Sequence, residues 1–396
     1  MPRRLRSLSS SLALAALLLA GCDALADPDD APAAGSPPAA SAESPPPIPP
    51  VLSATDLGEI RQLPIIRGRD GAISALVNGR SVWTFGDTPL DGPNADGEYW
   101  VDNSLSWTAD LDASDGIAFE GNHTDAVGAP AEFIPYLPWE RRYNERHDAD
   151  NCQAEPCGAE FAFWPGDIVP DPARDRALVF YYQLWRIPGQ EGWETVGTGL
   201  AEWDGGQRVV RPVLDPDSET PTLMWDRGET AYSNASLVED DTLYAYGCRR
   251  VWIQHRCRVA RVPLADALDK PAWRYYDGRR WSADPADAVR IFDGGSAGTS
   301  VFYVPAFEGY MAIYNPAFVN DAQYRVSRTP WGPWSEPQDL FMMRPPMGTF
   351  GNYSAHAHPE FAEDEGRVQY VTYAHATGFL QQVLPLVRVE FGDPPP

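Results

Sequence analysis

The sequence predicts an all-β chain folded as a five-bladed β-propeller, and three observations carry that expectation. Apolar runs are short and rich in Val, Ile, Tyr, Phe and Trp, which suit a pleated, half-buried surface. Gly (33) and Pro (39) recur through the 396 residues, so long helical patterns are scarce and 264–268 is the best helical turn. A strand–turn–strand unit recurs five times, and five four-stranded blades around a channel accommodate such a repeat.

Taken in chain order, the first part is a leader. Arg3, Arg4 and Arg6 precede a short apolar run at 11–20, which ends in Leu19-Ala20-Gly21-Cys22. The run is too short to span a bilayer and reads as a cleaved signal with a lipobox-like end. Residues 1–21 are expected to be removed. Cys22 then becomes a lipidated N-terminus, holding the protein in the cell envelope on the exported side of a bacterial membrane. Residues 22–51 are mostly Ala, Pro, Ser and Asp, a composition that cannot bury a core and makes a semi-extended tether. The folded domain is expected over 52–396.

The first unit, 70–86, is the most informative. Asn78-Gly79 is a strong hairpin signal. A two-residue turn there sets Val77 against Arg80, Ala75 against Val82 and Ile73 against Thr84. One step further out, it sets Asp70 against Asp87. Like charges directly opposed on neighbouring strands destabilise a sheet, whereas a glycosidase, a metal site or a proton-sharing dyad calls for paired acids.

The second unit pairs 167–169 with 177–183 across a turn at 170–176. The third pairs 234–238 with 242–246, the fourth 299–304 with 310–314, and the fifth 358–361 with 367–373. Residues just before each first strand should gather at one mouth of the channel. That collects Asp70, Asp87, Trp164, Asp167, Ser233, Asn234, Thr299, Asn315, His356, His358 and Glu360, more polar groups than packing needs.

Composition bounds the partners. A formal net charge of −25 argues against DNA, RNA or anionic lipid surfaces. Fourteen Trp and seventeen Tyr supply aromatic faces of the kind that carry sugar rings. Four Cys remain after Cys22, as two close pairs. In an oxidising compartment, Cys152/Cys157 and Cys248/Cys257 imply two local disulfides, the second clamping a long hairpin. There is no GxSxG, phosphate loop, dinucleotide fingerprint or Asp-box repeat.

Arg69-Asp70, then a strand and Trp83-Thr84-Phe85-Gly86-Asp87-Thr88, resembles the opening blade of five-bladed glycosidases such as glycoside hydrolase families 43 and 32. Thr329-Pro330-Trp331-Gly332-Pro333-Trp334 resembles an outer-strand segment of the same folds. Gly86-Asp87-Thr88 together with His358-Pro359-Glu360 is more closely similar to glycoside hydrolase family 183, a former domain-of-unknown-function family with endo-D-arabinanase members. The resemblance spans about 56–392 through short motifs. It implies a propeller glycosidase cutting furanoside polysaccharide, D-arabinan or a related arabinan first. It also implies an Asp at the start of the first inner strand as base or nucleophile.

The expected roles follow. Asp70 is the nucleophile or base, and Asp87 the acid or the tuner of its pKa, with the two interchangeable at this level. A pair ~5 Å apart favours retention through a covalent intermediate. A partner acid at Glu160, Asp167 or Glu360 would open the gap and allow inversion. Arg69 could hold Asp70 ionised or be a surface residue. Trp164, next to Pro165-Gly166-Asp167, is a sugar-stacking candidate, as are Trp139, Tyr143 and Tyr353 in loops. Asp167, Asn234, Asn315, His356, His358 and Glu360 complete a substrate-binding set. His356-Ala357-His358 with Glu360 could hold a metal, bind sugar hydroxyls or be buried scaffold. No cofactor is called for, and Ca²⁺ in the channel rests on analogy alone. The segment 91–160 is expected to form one wall of an open cleft. The chain is expected to act as a monomer on polysaccharide. The alternatives are a non-catalytic carbohydrate-binding lipoprotein and an interaction propeller with no sugar ligand.

Overall fold

The structure, a computed structural model, describes residues 44–187, 192–251, 254–295, 297–347 and 351–395. The leader, Cys22 and most of the tether lie outside them. No helix among the described residues is long and apolar enough to cross a membrane.

Asn78 and Gly79 take φ of 51° and 75°, the left-handed pair that a two-residue hairpin requires. They join Ile73–Val77 to Arg80–Phe85 in the expected register, Val77 against Arg80 and Ile73 against Thr84. Ser104–Thr108 and Gly121–Asn122 complete the first blade. The second is built on Glu160–Asp171, Arg176–Arg186 and Trp193–Trp203, and the third on Ala235–Glu239, Thr242–Val251 and Gln254–Pro263. The fourth runs Ser300–Val304, Gly309–Tyr314, Asp321–Ser327 and Gln338–Met342. In the fifth, Tyr353–Ala357, Val368–Gly378 and Pro385–Phe391 are joined by the N-terminal strand Val51–Glu59. That strand pairs with the last strand of the chain, so the two ends close the ring and cover an edge.

The core confirms five blades. Its five apolar clusters each fill one interface between neighbouring sheets. For example, Val77, Val82, Phe163 and Val179 join blades 1 and 2, and Trp83, Phe85, Tyr370 and Leu386 join blades 5 and 1. Inner strands of successive blades pack around a central channel. Both disulfides are present; Cys248 and Cys257 sit directly opposite on neighbouring strands.

Two expectations need correction. The first strand of the fifth blade is Tyr353–Ala357, not 358–361. Pro359 cannot donate to a ladder, and Pro359–Phe361 is a 3-10 turn. The segment 91–160 also supplies outer strands of blade 1 and one α-helix, Pro138–His147. Trp139 and Tyr143 lie on that helix, not in loops. They pack on Phe161 at ring-centroid distances of 5.3 and 4.8 Å. Its sequence, PWERRYNERH, has no apolar stripe to announce a helix. An ion pair anchors it instead: Arg211 donates to both oxygens of Glu140 at 2.6 and 2.9 Å, with both side chains fully buried.

Candidate active site

Inner strands begin, and second strands end, at one mouth of the channel. A cleft of about 2240 Å³ opens there. Asp70 and Asp87 face each other across its floor. Asp70 N–H donates to Asp87 O at 2.9 Å, and Gly86 N–H to Asp70 O at 2.8 Å. The regular ladder ends at Ile73 and Thr84. Beyond Gly71, whose φ is 68°, Asp70 bonds both Gly86 and Asp87, so the two acids are neighbours as the turn predicts but through a one-residue irregularity that it does not. A Cβ at Gly86 would lie 3.4 Å from both Asp70 Cβ and Trp164 Cδ1, so a hydrogen there leaves room for the blade-2 indole.

The two acids have different surroundings. Asp87 Oδ1 accepts from Arg186 Nη2 at 2.5 Å, Trp164 Nε1 at 3.0 Å and Trp100 Nε1 at 3.3 Å. Burial nevertheless pushes Asp87 up to about 7; Arg186 pulls it down, and the charges of Asp70 and Asp102 push it back. The single guanidinium is shared. Arg186 Nη1 also donates to Asp102 at 2.7 Å and Glu160 at 3.2 Å. Asp70 is raised by burial as well, opposed by hydrogen bonds from Tyr353 and Gln382 and by the charge of Arg186. Tyr353 OH donates to Asp70 Oδ1, and Gln382 Nε2 donates to Tyr353 OH at 2.6 Å.

A third carboxyl stands behind them. Glu132 is raised well above the usual carboxylate range, by burial first and by Asp102 second. It accepts from Asp102 N–H at 2.9 Å and Asn103 Nδ2 at 2.7 Å. Paired, desolvated acids in a cleft are the arrangement from which acid–base chemistry is built.

Residues 51–377 match the family described as a domain of unknown function, DUF4185. The chain belongs to that family. No curated protein sequence matches this DUF4185 chain. Among solved structures it is similar to a candidate hydrolase from Bacteroides ovatus, at 15% identity over 81% of this chain and 85% of that one, with a TM-score of 0.54. It is similar to Zg3597, a family 117 glycoside hydrolase from Zobellia galactanivorans, at 12% identity over 86% and 89%, with a TM-score of 0.50. A GH43_1 enzyme from Xanthomonas citri aligns at 13% identity over 84% and 89%, with a TM-score of 0.47. At such identities the likeness is one of fold.

Of the residues expected at the mouth, Asp70, Asp87, Trp164, Ser233, Asn234, Asn315 and Tyr353 line the cleft of this DUF4185 domain. Others do not. Arg69 points into blade 1, fully buried, with its guanidinium 4.1 Å from the Phe85 ring centroid and donating to Ser106 Oγ at 2.8 Å. It neither holds Asp70 nor reaches the surface. Asp167 joins two inner strands deeper in the channel, accepting from Ser236 N–H at 2.5 Å and Ser236 Oγ at 2.8 Å. His358 lies between Ser74 Oγ (2.6 Å) and Thr372 Oγ1 (2.7 Å), and Glu360 accepts from Ser74 and Ser81 at 2.5 and 2.6 Å. They hold blade 5 to blade 1.

The histidines do not fit a metal. Both ring nitrogens of His358 are engaged, and His356 Nδ1 is 2.9 Å from Gly298 O. Burial holds His356 down to about 4 and His358 well below the usual imidazole range. Calcium prefers a shell of six to eight oxygens, which these side chains do not supply. Among the described residues the one group with metal-ligand spacing is Cys152, Glu155 and Cys157, and its sulfurs form a disulfide.

Arg186, Asp102, Glu132 and Trp100 are the functional candidates that sequence reasoning missed. Glu160 stands in the sequence only as an alternative partner acid. Asp102 and Glu132 lie in loops and Trp100 in a two-residue strand, none with a periodic pattern, and Arg186 lies at the far end of a strand whose start looks like any other.

Proposed function

We propose that this protein is an exported, lipid-anchored glycoside hydrolase that cuts furanoside polysaccharide internally, with D-arabinan or a related arabinan as first substrate. The observation carrying this reading is the Asp70–Asp87 pair on the cleft floor, Asp87 buried and Asp70 half-buried, joined through the backbone. The similarity of Gly86-Asp87-Thr88 and His358-Pro359-Glu360 to glycoside hydrolase family 183 supports the choice of polymer. Arg3 to Cys22 supports export and anchoring.

Roles follow from the oxygens. All three N–H donors on Asp87 meet Oδ1, leaving Oδ2 to carry a proton. Asp87 is then the general acid. Its proton passes to the leaving glycosidic oxygen as Asp70 attacks the anomeric carbon and forms a glycosyl ester. Asp87, now ionised, takes a proton from water, whose oxygen displaces Asp70 and regenerates both groups. Asp70 and Asp87 are joined through the backbone at 2.9 Å, and we assign them the close carboxyl pairing, ~5–5.5 Å, of retaining rather than inverting enzymes. A cleft of about 2240 Å³ exceeds the ~300–1,000 Å³ of small-molecule sites, as an enzyme seated mid-chain requires.

The test is oligosaccharide release from D-arabinan, arabinan and arabinogalactan by wild type, Asp70→Asn and Asp87→Asn. Release by wild type and a loss of about 10²–10⁴-fold in each variant is expected. No release from any furanoside polymer would remove the enzyme reading and favour a carbohydrate-binding lipoprotein. Full rate in both variants would remove the site assignment.

A further inference from the structure

Among the described residues, five aromatic side chains are more than a third exposed: Tyr99, Trp193, Tyr303, Phe318 and Phe379. Four of the five occupy one kind of position. Tyr99 lies between the second and third strands of blade 1, Trp193 opens the third strand of blade 2, and Phe318 and Phe379 lie between the corresponding strands of blades 4 and 5. All these connections are at the mouth that holds the acid pair. Tyr99, Trp193 and Phe318 line the cleft, as does Leu380 beside Phe379.

The backbone is strained at one of these positions and beside another. Phe318 has a φ of 64° and Leu380 one of 53°. Large side chains rarely adopt that region, and such strain collects where a loop serves a ligand. The collar also connects to the chemistry. Trp193 meets Trp164 edge to face at 4.6 Å between ring centroids, and Trp164 donates to Asp87. Carboxylates outnumber guanidinium groups about two to one in the cleft lining, and the whole chain carries −25. A polyanion is repelled from such a mouth, whereas a neutral chain is not.

We propose that Tyr99, Trp193, Phe318 and Phe379 form an aromatic collar on which an uncharged polysaccharide lies across several blades. The apolar C–H faces of its sugars rest on the rings. The collar rests on the glycosidase reading and sharpens it: the substrate is a neutral polymer, held at points remote from the bond that is cut. Phe318 and Phe379 then set affinity for long chains and have no part in the bond cleavage itself.

The experiment compares wild type, Phe318→Ala, Phe379→Ala and the double variant on D-arabinan and on a short arabinofuranosyl oligosaccharide. The collar predicts a KM for the polymer raised about tenfold in the double variant, the scale of one or two stacking contacts. Rate on the short substrate and melting temperature stay unchanged. An unchanged polymer KM, or equal losses on both substrates, would overturn it. If wild type cuts neither substrate, affinity electrophoresis in gels containing D-arabinan, arabinan or arabinogalactan reads the collar separately. Retardation of wild type that is lost in the double variant supports it; no retardation in any gel overturns it.

Discussion

Trp164, on the inner strand of blade 2, donates its indole N–H to Asp87 Oδ1 of blade 1 at 3.0 Å. This bond ties the position of an acid in one blade to the packing of the next, and it favours the ionised form of Asp87. Replacing Trp164 with Phe keeps a ring and removes the donor. Asp87 should then hold its proton to higher pH. In the proposed mechanism it is the protonated acid, so activity should fall as pH rises through about 7 in wild type. In Trp164→Phe that basic limb should move upward. A pH–rate profile checks it; a loss of rate with no displacement of the limb would mean the indole only packs.

Tyr353 acts on the other acid. Its hydroxyl donates to Asp70 and opposes the rise that burial imposes. In the proposed mechanism Asp70 attacks in its ionised form, so activity should rise as pH rises through its value. Tyr353→Phe removes the donor and should move the acidic limb upward, leaving the basic limb near its place. The same profile reads both limbs, and the two variants should move different ones.

The fold was legible because its signals are local. Asn78-Gly79 fixes a register that holds as far as Ile73 and Thr84 and brings Asp70 and Asp87 together just beyond it, across a local irregularity at Gly71. Cys248 and Cys257 pair across one hairpin as their spacing implies. Depth along the channel was not legible. Asp167, His358 and Glu360 belong to the right inner walls, but a two-residue period cannot say how far below the mouth a side chain lies. Arg186, Asp102 and Glu132 reach the acids from a strand end and from loops, where position is set by tertiary contacts that leave no periodic mark.

Asp167 gives a stability prediction of definite sign. Burial pushes it up to about 6 in the folded protein, against hydrogen bonds from Ser236 and Ile168. The native state therefore holds a proton that the unfolded state releases at lower pH. Its contribution is fullest below about 4 and is lost as pH rises through about 6. Asp167→Asn cannot titrate. The melting-temperature difference, variant minus wild type, should therefore grow more positive between pH 4 and 7, roughly the interval between the unfolded and folded values. A difference independent of pH would contradict the assignment.

The Glu140–Arg211 pair anchors the helix that walls the cleft. Removing one partner leaves a buried charge uncompensated, at a cost of about 3–5 kcal/mol. Glu140→Ala should therefore unfold at markedly lower denaturant. Replacing both, as Glu140→Leu with Arg211→Met, should recover most of the loss. Equilibrium unfolding of the single and double variants measures this directly.

The central claim is that Asp70 and Asp87 act as one close pair through a glycosyl ester. Proton NMR of the first products released from D-arabinan tests it most directly, before mutarotation mixes the anomers. The account predicts that the new reducing end first carries the configuration of the bond that was cut. First appearance of the opposite anomer would contradict it, because water rather than Asp70 would then have attacked the anomeric carbon.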